Sequence, residues 1–207
     1  MDDFLAAEVC HRAAELAIEH TGVVVTPAVS TGLSEHHMAF GGTITLSLPT
    51  LHAPLRDICP SVIRAGFSRI LNVNGHGGNM TALNVLTTEL TAELATPIAF
   101  ASYFGAGRDV VRDTLETQDG LMPACGGETS TMMAAYPELV RAEHQAEAHG
   151  PRITLPAEST DPVYLTFPSA SVRAGSSLAH RPGNLASFVT TLTGDESRDK
   201  FRHQSGQ

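Results

Sequence analysis

Three polar points in this sequence have the residue types to do chemistry: the pair His36-His37, His76 and Glu128. Each sits in or beside a glycine-bearing loop that precedes or follows a regular element. A histidine and a carboxylate on neighbouring loops at one end of a sheet can bind a divalent cation such as Zn2+, Mn2+ or Fe2+. The same pair can instead act as a general acid and base. A single histidine in a turn is more often packed than functional, so the weight rests on the pairing of Asn74-Gly75-His76-Gly77-Gly78-Asn79 with Gly126-Gly127-Glu128-Thr129-Ser130.

These points need elements to hold them. Arg69 to Val73 is short, apolar and β-branched, as a buried strand is, and it runs straight into the glycine loop. Ligands of open α/β sheets sit where such loops leave the carboxyl ends of strands. Three glycines let this loop turn tightly and approach a ligand closely, and His76 among them reads as presented rather than packed. Behind the loop Met80, Leu83, Leu86, Leu90 and Leu94 trace one helical face, closed near Thr96-Pro97.

The rest of the chain fits the same alternation. Asp2 or Asp3 caps a helix to about His20, with Leu5, Val9, Ala13, Leu16 and Ala17 on its inner face. Val23 to Val25 reads as a strand and Ile44 to Leu48 as a brief extended piece. A helix from a Thr50 cap to about Ala65, ended by Gly66, takes Pro54 in its first turn. Pro60 lies in its interior at a cost of ~3 kcal/mol. Ile98 to Ser102 reads as a strand, Arg108 to Leu115 as a short helix, and a further helix opens near Thr129. Strand and helix in alternation predict a three-layer α/β sandwich with a mainly parallel central sheet. Residues 1–195 read as one domain. After Arg141 the periodic pattern fades, and residues 196–207 read as a disordered tail.

Composition narrows the partners. With 13 Lys+Arg against 22 Asp+Glu the net charge is −9, and no basic cluster is present, which argues against nucleic acid or an anionic membrane surface. No apolar run reaches the ~20 residues of a membrane span. An acidic start followed by an amphipathic stretch has the wrong charge order for a signal peptide. Three cysteines without paired spacing fit neither a disulfide framework nor a cysteine zinc site, so a reducing cytoplasm is the expected compartment.

Four stretches in order, MDDFLAAEV, SEHHMAFGGTITL, GFSRILNVNGHGGN and ACGGETSTMM, resemble the creatininase (creatinine amidohydrolase) family over roughly residues 2 to 140. The resemblance implies an α/β sandwich with a buried mononuclear or binuclear metal centre, usually in a homo-hexamer. It also implies hydrolysis of a C–N bond in a small cyclic or linear amide by metal-activated water. On it, Asp2 falls on a metal-bridging aspartate, His76 on a histidine ligand, and Glu128 on a glutamate that serves as ligand or acid/base group. His37 faces the substrate side. The family's first metal motif, Glu-x-His, belongs just ahead of Asp2, so the chain as given reads as N-terminally truncated, with Asp2 at a frayed end. Gly78 stands where creatininase has a second ligand, Pro123 where many members have a proton-donating histidine, and Gly126 where a glutamate is common. Active hydrolase is the first expectation. A degenerate member acting as a binding or assembly subunit is the alternative, and a relative that matures a peptide or cofactor is a third.

Overall fold

A computed structural model describes residues 1–38, 42–116, 125–147 and 188–194. The principal elements are α1 (Asp2–Ala17), β1 (Gly22–Val25), α2 (Leu48–Arg64), β2 (Arg69–Asn74), α3 (Met80–Leu94), β3 (Ile98–Ser102), α4 (Tyr103–Ala106), α5 (Arg108–Thr114), α6 (Gly126–Ala135) and β4 (Phe188–Gly194). None of the described helices is long and apolar enough to cross a membrane.

The period of two along β2 sorts the layers. Ile70 points into a cluster with Leu51, Leu55 and Cys59 of α2, Leu83, Leu86 and Leu90 of α3, and Ile98 of β3. Leu71 and Val73 point the other way, against Ala6 and Cys10 of α1. Two helices on one face of the sheet and one on the other make the expected three-layer sandwich.

The strands lie in the order β1-β4-β2-β3. β2 and β3 are parallel, with Ile70 opposite Ile98 and Asn74 opposite Ser102. β4 is antiparallel to both β1 and β2, so three of the four described strands run one way. β4 lies inside the stretch after Arg141 where the periodic pattern fades. Its sequence, Phe-Val-Thr-Thr-Leu-Thr-Gly, is rich in strand-favouring residues, but Pro-, Ser- and Gly-rich sequence surrounds it and hides the signal. The proposed tail at 196–207 lies outside the described residues.

Several local expectations change. α1 starts at Asp2 with Met1 at the capping position and no side-chain cap. Its buried face is Asp2, Leu5, Ala6 and Cys10, while Val9 and Leu16 are exposed, because only its first half packs on the sheet. Ile44 to Ser47 belongs to no strand. Ser47, not Thr50, caps α2: its Oγ accepts the Thr50 N–H at 3.4 Å. Pro49 therefore takes the tolerated first-turn place, and Pro54 joins Pro60 in the helix interior. The carbonyls the two rings release belong to Thr50 and Arg56, both on the exposed side, where water can accept the loss. Gly66, with φ 99°, ends α2 as expected.

The core assignment makes a paired prediction. Leu86 is 0% exposed, so Leu86→Ala lowers unfolding stability by about 2–5 kcal/mol in urea titrations. Leu16 is 79% exposed, so Leu16→Ala shifts stability by about 0.5 kcal/mol or less.

Candidate metal centre

β2 delivers its loop through an asparagine frame. Asn74 Nδ2 donates to the His76 carbonyl at 2.7 Å, and Asn74 Oδ1 accepts the His76 N–H at 3.2 Å. Asn79 Nδ2 donates to Asn74 Oδ1 at 3.2 Å, while Asn79 Oδ1 accepts the Leu33 N–H at 2.9 Å. The two asparagines that bracket the NGHGGN stretch thus fix the loop to itself and tie it to the segment carrying His36 and His37. That segment is held in turn by Thr45 Oγ1, which accepts the Ser34 N–H at 2.9 Å, and by Thr43 Oγ1, which donates to the His37 carbonyl at 3.0 Å.

Two of the loop glycines, Gly75 and Gly78, serve close approach, and none of the three has a positive φ. A Cβ on Gly75 would fall on the Asp2 carbonyl oxygen, and one on Gly78 on the Leu33 carbonyl oxygen and within 2.7 Å of His76 Nε2. A Cβ on Gly77 would meet nothing within 4 Å. Position 78 therefore has no room for any ligand side chain on this backbone.

His76 is packed, contrary to expectation, at 4% exposure, and Asp2 at 6% is buried against it rather than frayed. Asp2 Oδ2 lies 2.9 Å from His76 Nδ1. On the other side of the ring, Nε2 lies 3.0 Å from the Leu33 carbonyl oxygen and 3.4 Å from Ser34 Oγ. A neutral imidazole has one N–H and can donate to Asp2 or to the Leu33 carbonyl, but not to both. In either neutral tautomer one ring nitrogen turns its lone pair toward an acceptor, Nδ1 toward the Asp2 carboxylate or Nε2 toward the Leu33 carbonyl, and a cation at that nitrogen or a second proton on the ring relieves it. A backbone carbonyl on the far nitrogen is also the usual orienting partner of a metal-bound histidine. The donor set fits a divalent ion.

Ligand atoms of His36, His37 and His76 also lie within 4.8 Å of one another. The His36 and His76 rings stack nearly parallel, 5.5 Å apart, and His37 is buried beside them. Burial, and then the neighbouring His76, lower the pKa of His36 from its ordinary value, which favours the neutral form that a metal ion requires.

Glu128 arrives on α6, which packs beside α1. α6 begins at Gly126, three residues earlier than expected, which sets Glu128 in the first turn, where free N–H groups favour a carboxylate. Glu128 and, less strongly, Asp2 both act electrostatically on the Tyr103 hydroxyl. Pro123 lies outside the described residues. Ser34, Asn74, Asn79 and Tyr103 complete the surroundings. The asparagines were visible as the flanks of the glycine loop, whereas Ser34 and Tyr103 carry no sequence signal beyond following or preceding ordinary elements.

A family model described as creatinine amidohydrolase matches residues 1–182. The mycofactocin precursor peptide peptidase of Mycobacterium ulcerans (strain Agy99) is 28% identical over 180 residues, covering 87% of this chain and 62% of that protein. The creatinine amidohydrolase of Pseudomonas putida is 28% identical over 210 residues, covering 92% of this chain and 73% of that protein. A second mycofactocin precursor peptide peptidase, from Mycolicibacterium smegmatis (strain ATCC 700084 / mc(2)155), is 32% identical over 115 residues, 56% of this chain and 41% of that protein. The chain thus spans between two fifths and three quarters of these relatives' lengths. With the family model running over most of the chain, and the same stretch carrying the buried Asp2–His76 contact, the chain belongs to the creatininase family.

Proposed function

We propose that this chain is a metal-dependent amidohydrolase that cleaves a C–N bond in an amide. The carrying observation is the Asp2–His76 contact, 74 residues apart in sequence and buried, with acceptors on both sides of one imidazole. Asp2 Oδ2 and His76 Nδ1 would hold the ion, with Glu128 as third ligand or as acid/base and His37 on the substrate side. The chemistry a divalent ion supplies in such a site is a water of pKa about 7 and polarisation of the carbonyl under attack.

The chain's own groups do the rest. Leu33 and Asn74 fix the ring and backbone of His76, so its Nδ1 is aimed before any ligand arrives. Glu128 takes the proton that leaves the attacking water and returns one to the departing nitrogen. The placement beside Asp2 is preferred over one among the three histidines because Asp2 adds an anionic oxygen to the donor set, whereas the neighbour of His76 Nε2 is a backbone carbonyl. The lack of room at position 78 favours one ion over a pair in which that position supplies a ligand. The names of the relatives describe hydrolysis of an amide in a small molecule and in a peptide, and either class suits the proposed chemistry.

The rival reading, a degenerate subunit without hydrolase activity, draws on Gly78, Pro123 and Gly126 in place of groups common in the family. Metal content separates the two. The chain purified with Mn2+ or Zn2+ is expected to hold close to one equivalent by elemental analysis, and His76→Ala to lose most of it together with all amide hydrolysis. Unchanged metal in His76→Ala would remove the ion from this site. Glu128→Gln is expected to lower turnover by about a hundredfold or more while the melting temperature moves little, as removal of a general base does. A Glu128→Gln variant of full activity would take Glu128 out of the mechanism.

A further inference from the structure

We infer that Tyr103 is a substrate-contacting residue, its hydroxyl donating a hydrogen bond to the oxygen of the carbonyl under attack; this rests on the hydrolase reading above. Asn74 pairs with Ser102 in the parallel register of β2 and β3, so the next residues of each strand, Gly75 and Tyr103, leave the sheet side by side at the same end. The Tyr103 ring packs on the layer formed by Ala6, Cys10 and Val73, and edge-on against Phe104 at 5.4 Å. The body of the side chain is therefore fixed.

Its oxygen is not satisfied. The hydroxyl is buried and has no hydrogen-bond partner among the described residues. A phenol shut away from water ordinarily finds a partner, because leaving it without one costs stability. Such an orphan beside a candidate reaction centre points to a ligand that supplies the missing acceptor. The carboxylates of Glu128 and Asp2 and the thiol of Cys125 are the groups that act on it, and the two carboxylates are those of the proposed centre. Burial first, and then these acidic neighbours, push its ionisation far above the ordinary tyrosine range, so it remains a donor and never competes as an anion. A neutral donor held in a dry pocket and aimed where negative charge develops is the form that electrostatic stabilisation of acyl transfer takes. Cys125 heads α6 and lies near the same hydroxyl, but as a lone thiol it has no partner chemistry of its own.

The test uses the full chain loaded with Co2+ and acetohydroxamate, an anionic amide analogue, titrated through the visible cobalt spectrum. Tyr103→Phe removes one oxygen that makes no bond within the described protein, so Co2+ stoichiometry and melting temperature are expected to match the parent. Acetohydroxamate affinity is expected to fall about ten- to hundredfold, the loss of one hydrogen bond to a charged group. Equal affinity in the two proteins at full Co2+ loading would overturn the assignment. Loss of Co2+ or a lowered melting temperature in Tyr103→Phe would overturn it as well, by making the hydroxyl structural. A parent chain that takes up no Co2+ would instead overturn the metal reading, and this inference with it.

Discussion

One contact organises the molecule: the carboxylate of Asp2 against the imidazole of His76, 2.9 Å apart and shut away from water. Burying a carboxylate costs several kcal/mol, roughly, unless a charge or strong donors compensate it. The surrounding structure is arranged to make that burial tolerable and specific. α1 brings Asp2 in from one face of the sheet through Ala6 and Cys10, and β2 brings His76 in from its carboxyl end. Gly75 removes the one Cβ that would hold the two apart. The Leu33 carbonyl and the Asn74 amide then fix the ring so that only its Nδ1 edge faces the carboxylate.

The fold explains how segments so distant in sequence converge. The alternation along β2 commits Ile70 to the α2–α3 core and Val73 to the α1 layer, so the strand is clamped from both sides before it ends. Its loop is then held by asparagine side chains and not by a regular ladder. Parallel pairing with β3 sets Tyr103 beside that loop, and α6 supplies Glu128 in its first turn. α1, α6 and the ends of β2 and β3 thus each contribute a residue, which is why no local stretch of the chain carries the whole candidate site.

How much of this was legible in the sequence depends on how local each cause is. β2 and β3 were readable as short apolar runs, and α3 through the helical period of its leucines, closed near Thr96-Pro97. The NGHGGN stretch declared a functional loop through its glycines, although the structure uses Gly75 and Gly78 for close approach and not for positive φ. The inner face of α1 was misread because Leu16 and Val9 are apolar yet exposed, and a burial pattern that stops halfway along a helix leaves no mark in composition. Asp2 has the type and place of a cap, and only the long-range arrival of His76 turns it inward. Ser47 won the α2 cap from Thr50 on geometry that propensity alone does not distinguish. Tyr103 was invisible because its significance lies in an acceptor the protein does not supply.

The divalent ion proposed at Asp2 and His76 can be located by anomalous diffraction from crystals of the Mn2+- or Zn2+-loaded chain, collected on both sides of the metal edge. One peak per chain is expected, about 2.0–2.2 Å from His76 Nδ1 and from an Asp2 carboxylate oxygen. A peak on His76 Nε2 among His36 and His37 with Asp2 only hydrogen-bonded behind the ring, or no peak at either place, would contradict it.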